Sequence, residues 1–146
     1  MIRTISLVAL LAVGATAASA QNLDVIKQRK EVFKTFGGAA KTGSGFVKGE
    51  AKFDLAAAKA AFTTYADGAA KLKTLFPDDS KVGGETKTLP IAWEKKGDFM
   101  NLLAKFEGES KAAVVAVTDE ASFKDQWGKV MGNCGACHKV YREPQK

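Results

Sequence analysis

The sequence predicts an all-α fold, an antiparallel four-helix bundle, and three observations carry that reading. Four long stretches repeat apolar residues at intervals of three and four. Side chains so spaced form one stripe on a helix of 3.6 residues per turn. The strongest breaking signals, Pro77, Gly83-Gly84 and Pro90, fall together in one connection between the second and third stretches. Finally, the apolar rhythm is close to seven residues, which four helices of this length bury best in a left-handed bundle.

The first helix is expected from about Leu23 to Ala40, with Ile26, Arg29, Phe33 and Phe36 on its stripe and Asn22 as cap. Gly37-Gly38 is expected to loosen its middle or its end. The second, about Lys52 to Leu75, has the clearest pattern, through Leu55, Ala58, Phe62, Tyr65, Ala69 and Leu72. A loop from Phe76 to Pro90 follows. The third runs from about Ile91 to Val117 through Trp93, Phe99, Leu103, Phe106 and Ala113, weakened locally by Gly97 and Gly108. The fourth is capped by Thr118 or Asp119 and continues through Phe123, Trp127, Val130, Cys134, Cys137 and Tyr141 to about Glu143, where Pro144 stops it.

Residues 1–20 have a different character. Arg3, an apolar run from Ile5 to Val13 and Ala18-Ser19-Ala20 match the three regions of a secretory signal peptide, so residues 21–146 are expected as one mature domain. The apolar run is too short to span a membrane comfortably and no second candidate follows, so no membrane insertion of the mature chain is expected. Lys and Arg number 22 against 16 Asp and Glu. Without Arg3 the balance is about +5, but the lysines are interspersed with acids and alanines, which fits a solvated surface and gives no nucleic-acid patch.

Both cysteines and the only histidine stand together in Cys134-Gly-Ala-Cys137-His138. Cysteines three apart on a helix share a face, so each can add its sulfur to a vinyl group of one porphyrin, while the next residue presents an imidazole to the iron. The pentad therefore predicts one covalent haem c per chain, through Cys134 and Cys137, with His138 as axial ligand. A zinc site needs further ligands that the chain lacks, and a redox dithiol wants a βαβ setting that the helical pattern does not offer. The cysteines lie on the core-facing stripe of the fourth helix.

With these features, the mature chain resembles the cytochromes c', the class II c-type cytochromes. The resemblance rests on the signal peptide, the four helices and the position of the haem motif near the C-terminus. Its most specific segments are Cys134-Gly-Ala-Cys-His-Lys-Val-Tyr-Arg142 and Arg29-Lys-Glu-Val-Phe33. It implies a five-coordinate, largely high-spin iron, with Phe33 at the position facing the open side. Low-spin relatives of the cytochrome c556 type are similar in fold and place a methionine there. Met131, one turn before Cys134, is badly placed to reach the opposite haem face; Met100 is freer, and is also ordinary core filling.

Arg29 on an apolar stripe needs a partner, and a haem propionate would supply one. Arg142, four residues after His138, is read on the same helix face in a like role or packed on the imidazole, and the resemblance supports the placements of Arg29 and Arg142 alike. Lys30 is read as reaching a propionate edge or facing solvent. The resemblance further implies a periplasmic electron carrier with redox protein partners, binding of nitric oxide or carbon monoxide at the open face, and a homodimer through the first two helices. Nitric oxide handling as the main role is the alternative. An enzyme is not expected, because no distal histidine is present to manage protons.

Overall fold

The computed structural model describes residues 22–144, so the leader read in residues 1–20 lies outside them. Four long helices form the bundle: α1 (Leu23–Lys48), α2 (Leu55–Leu72), α4 (Lys96–Ala116) and α5 (Glu120–Tyr141), with a one-turn helix α3 (Ile91–Glu94) before α4. No strand occurs among the described residues. In the bundle, α2 packs on α1 and on α4, α4 packs on α5, and α1 and α5 meet only sparingly.

Local chemistry explains where the boundaries depart from expectation. Asn22 caps α1 as read, its side chain accepting from the Val25 amide at 3.1 Å. The helix then runs through Gly37-Gly38, well past Ala40, because buried Gly43 and Phe46 extend its packed face. It ends at Gly49, whose φ of 72° is a left-handed cap cheap only for glycine. Asp54 starts α2 later than expected, its carboxylate accepting from the Ala57 amide at 2.7 Å. Instead of one third helix there are two, because the backbone leaves helical geometry at Lys95 (φ −111°, ψ 46°). Asp119 and Ser122 form a reciprocal capping box at the start of α5. That helix stops at Tyr141, short of Glu143, because Arg142 turns extended and bridges to Thr88.

The buried side chains divide into two clusters. One gathers Phe46, Phe62, Tyr65, Phe106, Phe123, Trp127 and Val130; the other gathers Val32, Leu72, Leu75, Phe76, Trp93, Phe99, Leu103 and Tyr141. Cys134 packs against the first and Cys137 against the second. The site lies where the clusters part.

The loop after α2 is irregular but fastened. A 3-10 turn at Asp78–Ser80 is tied to the start of α1 by the Asn22 amide, which donates to Asp79 O at 2.9 Å. Leu89 N donates to Tyr141 O, and Glu143 N to Lys87 O, each at 2.9 Å. Arg29, 1% exposed, closes the arrangement from α1.

Candidate functional site

A cavity of about 520 Å³ opens between the clusters, within the range of small-molecule and cofactor sites. From α1 come Phe33, Phe36, Gly37 and Ala40; from α4, Phe99, Leu102, Leu103 and Phe106. Tyr65 and Leu72 complete the apolar walls from α2. The wall on α5 is chemically different: Cys134, Cys137 and His138 line it with Met131, Asn133 and Tyr141.

Helical spacing brings the two thiols to one face of α5, and both are free and half-buried. Burial raises both thiols, Cys137 to about 11 with a further push from Cys134. Loss of water at the wall lowers His138, and the nearby Arg142 cation adds to that. The histidine is thereby biased toward the neutral imidazole that can bind a metal. Asn133, beside Cys134 in sequence and 6% exposed, is held from two sides. Its oxygen accepts from Lys105 at 2.9 Å and its amide donates to Glu109 at 2.5 Å. This network fixes the wall next to the first cysteine.

The lining fits a haem on three counts. Its walls are mostly aromatic and aliphatic, as a flat macrocycle needs. Every charged side chain on it, Arg29, Lys87 and Arg142, is cationic, which suits a guest bearing two carboxylates. Lastly, the Tyr65 hydroxyl is buried without a hydrogen-bond partner, and Cys134 is near enough to add to the upward push that burial gives the phenol. A buried polar atom left unpaired costs about 1–3 kcal/mol, so a cavity-wall tyrosine with a free hydroxyl is a place for a guest.

Not every expected site residue is where the sequence suggested. Phe33 lines the cavity and is 40% exposed, a rim residue and not a core one. Arg29 also lines it, but its guanidinium is already engaged. One terminal nitrogen donates to Leu75 O at 3.0 Å and Ser80 Oγ at 3.3 Å, the other to Ser80 O at 3.1 Å and Thr86 Oγ1 at 3.0 Å. The same group stacks over Phe76 and Trp93, 4.5 and 5.4 Å from their ring centres. Desolvation lowers it to about 10, still charged at neutral pH. The loop thus supplies partners for the buried cation, which also stands on the cavity lining. The Lys30 Nζ lies 3.2 Å from both Gly84 O and Glu85 Oε2, and the residue is not on the lining. Arg142 does reach the cavity, though by an extended backbone and not along the face of α5. Met131 lines the α5 wall, while Met100 packs against the second cluster and is not on the lining.

Sequence reasoning missed Phe36, Phe106, Tyr65 and Lys87 as lining residues. The three aromatics were legible only as core stripe, since a bundle interior and a cofactor wall look alike in periodicity. No pattern marked Lys87, which the fastened loop delivers.

A helical bundle that turns two thiols and an imidazole into an apolar cavity with cations on its lining has the makings of a c-type haem protein. The chain belongs to the cytochrome c' family, whose model, Cytochrome C', matches residues 24–142. Over 141 residues it is 43% identical to a cytochrome c' of Rhodopseudomonas palustris, covering 97% of this chain and 96% of the relative. A cytochrome c-556 of Agrobacterium fabrum is 34% identical over 120 residues, 80% of each chain. A solved structure of cytochrome c' from Rhodopseudomonas palustris superposes with a TM-score of 0.82 at 45% identity, covering 84% of this chain and 98% of that one. The family is one of c-type haem proteins, and this chain carries two cysteines at the spacing that covalent attachment needs.

Proposed function

We propose that this protein is a periplasmic electron carrier whose single haem c keeps one axial side of its iron open to small gases. When bound, the haem supplies an iron that exchanges one electron and accepts a diatomic ligand at an open position. Cys134 and Cys137 would hold it by thioether bonds, and His138 would ligate its iron. Lys87 and Arg142 are the cations available to its carboxylates. Phe33, Phe36 and the α4 aromatics exclude water and bring no imidazole or thioether to the side away from α5.

One observation carries the reading. Apart from the α5 groups, the cavity lining contains no histidine or methionine; the resemblance adds that Phe33 holds the position where low-spin relatives bear a methionine. Met131 shares the helix of His138, and Met100 is not on the lining. Absorption and electron paramagnetic resonance spectra test it: ferric and ferrous protein should be high-spin and five-coordinate, and the ferrous form should bind carbon monoxide and nitric oxide. Phe33→Met should move the iron toward a six-coordinate, low-spin state. Native methionine ligation in the wild type would defeat the assignment and favour plain electron transfer of the c556 kind.

Nitric oxide holding is the second reading, and the same open side favours it. Export is read from residues 1–20, and periplasmic fractionation with loss of that segment checks it. A homodimer, redox protein partners and the absence of enzymatic turnover belong to the same proposal, the first testable by sedimentation.

A further inference from the structure

Gly68, on α2, does not line the cavity, yet it sets the position of a residue that does. A Cβ built on Gly68 falls 2.2 Å from Phe36 Cε1, 2.7 Å from Phe36 Cζ and 3.0 Å from Val32 Cγ1. Carbon atoms rest at about 3.5–4.0 Å, so even an alanine there demands a displacement of about 1 Å or more. The edge of the Phe36 ring is therefore lodged in the notch that the missing side chain leaves.

The neighbours of that ring fix the direction in which it would yield. Tyr65 and Phe106 stand edge-on to it, with ring centres 5.4 and 5.6 Å away. Phe33 stands edge-on at 5.9 Å and is itself part of the lining. Val32 Cγ1, 3.0 Å from the same built Cβ, leaves the added side chain no room beside Phe36. Its remaining side faces the cavity, on the wall across from α5 where the open side of a seated haem would lie. A side chain at position 68 would drive the ring toward the volume that the haem and any ligand on its open side would share. Packed interiors resist a shift of the whole helix, so the side chain that borders the cavity yields first.

We propose that Gly68 is a size-determining residue of the gas site: by seating Phe36 back against α2, it sets the largest neutral ligand that the open side admits. This rests on the gas-binding reading above and names the residue pair that gives that site its selectivity. The ligand class is small uncharged molecules that bind ferrous iron, graded by bulk.

The test uses the haem-loaded protein and three probes of rising size: carbon monoxide, methyl isocyanide and tert-butyl isocyanide. Gly68→Ala should slow carbon monoxide association roughly tenfold and the isocyanides by progressively more, steepening the dependence on size. Phe36→Leu in the wild type should flatten that dependence, and in the Gly68→Ala background it should restore both the rates and the melting temperature. The thermal measurement reads the contact without any gas. A wild type that takes no carbon monoxide overturns the proposed function, and the size-determining role with it, before any variant is compared. If the wild type binds, a folded, loaded Gly68→Ala protein with an unchanged size dependence overturns the role of Gly68 alone. Should Gly68→Ala fail to fold, Phe36→Leu decides by itself: equal acceleration of all three probes refutes the proposal.

Discussion

Arg29→Met is the perturbation with the largest effect to be read from the structure. The arginine is 1% exposed and donates four hydrogen bonds across the loop, two of them to the carbonyls of Leu75 and Ser80. Methionine refills much of the volume and keeps the helix, so what is lost is polar pairing and the stacking on Phe76 and Trp93. The two hydroxyls keep other bonds, Ser80 Oγ to Pro77 O and Thr86 Oγ1 from Thr88 N. The carbonyls lose their side-chain donor. Hydrogen bonds from a charged donor contribute about 1.5–3 kcal/mol each, offset by the desolvation that the buried guanidinium no longer suffers. The net loss expected is about 3–4 kcal/mol. For a domain of this size that corresponds to a fall in melting temperature of roughly 10–15 °C. Thermal unfolding followed by circular dichroism gives the total, and amide exchange localises it to residues 78–88. Arg29→Lys keeps the charge without the fork and should fall between. A loss below about 1 kcal/mol, with unchanged exchange in the loop, would show that the guanidinium is not what holds the loop.

Three further outcomes are open to measurement. Cys134→Ser and Cys137→Ser should each leave one thioether link; a mass spectrum of protein matured in a competent host reads whether haem stays on the chain under denaturing conditions, and wild type without an attached haem would remove the basis of the site. Glu107, 13% exposed at its side chain, is held below the ordinary carboxylate range by hydrogen bonds from Lys111 and then Lys73; because its folded value is depressed, its contribution is full above the unfolded value near 4.5 and is lost as pH falls through the folded one. Glu107→Gln should therefore flatten that acid limb in a pH series of urea melts, and an unchanged limb would refute the pairing. In Gly43→Ala a Cβ would sit 2.1–2.7 Å from three Trp127 ring atoms, and the overpacking should cost about 1–3 kcal/mol in a denaturant melt.

The helices were legible because burial imposes a period on them, and the capping residues Asn22 and Asp119 because their side chains satisfy amides locally. Endings that depend on partners distant in sequence were not. Nothing near Tyr141 announces that Thr88 will take Arg142 into a bridge, and nothing near Ala40 shows that Phe46 will still be packed. The cysteine pair and the histidine were evident because three rare residue types stood side by side. Arg29 was correctly marked as a buried ion in need of a partner. The loop partners it takes lie 46 to 57 positions downstream, beyond the reach of any local pattern.

The fastened loop has a consequence for how the molecule assembles. Its ties join α1, the segment around Ser80 and Thr86, and the end of α5, with the Lys87–Glu143 pair spanning 56 positions. Closing spans of that length carries an entropic penalty before any contact repays it, and each tie made shortens the remaining closures. Formation of this end of the bundle should therefore be cooperative: the ties reinforce one another, while the last helix, which carries the cysteines and histidine, is held along its length by α4. A chain truncated just after His138 would keep both cysteines and the histidine yet lose the Leu89–Tyr141 and Lys87–Glu143 backbone ties that fasten the loop to the end of α5.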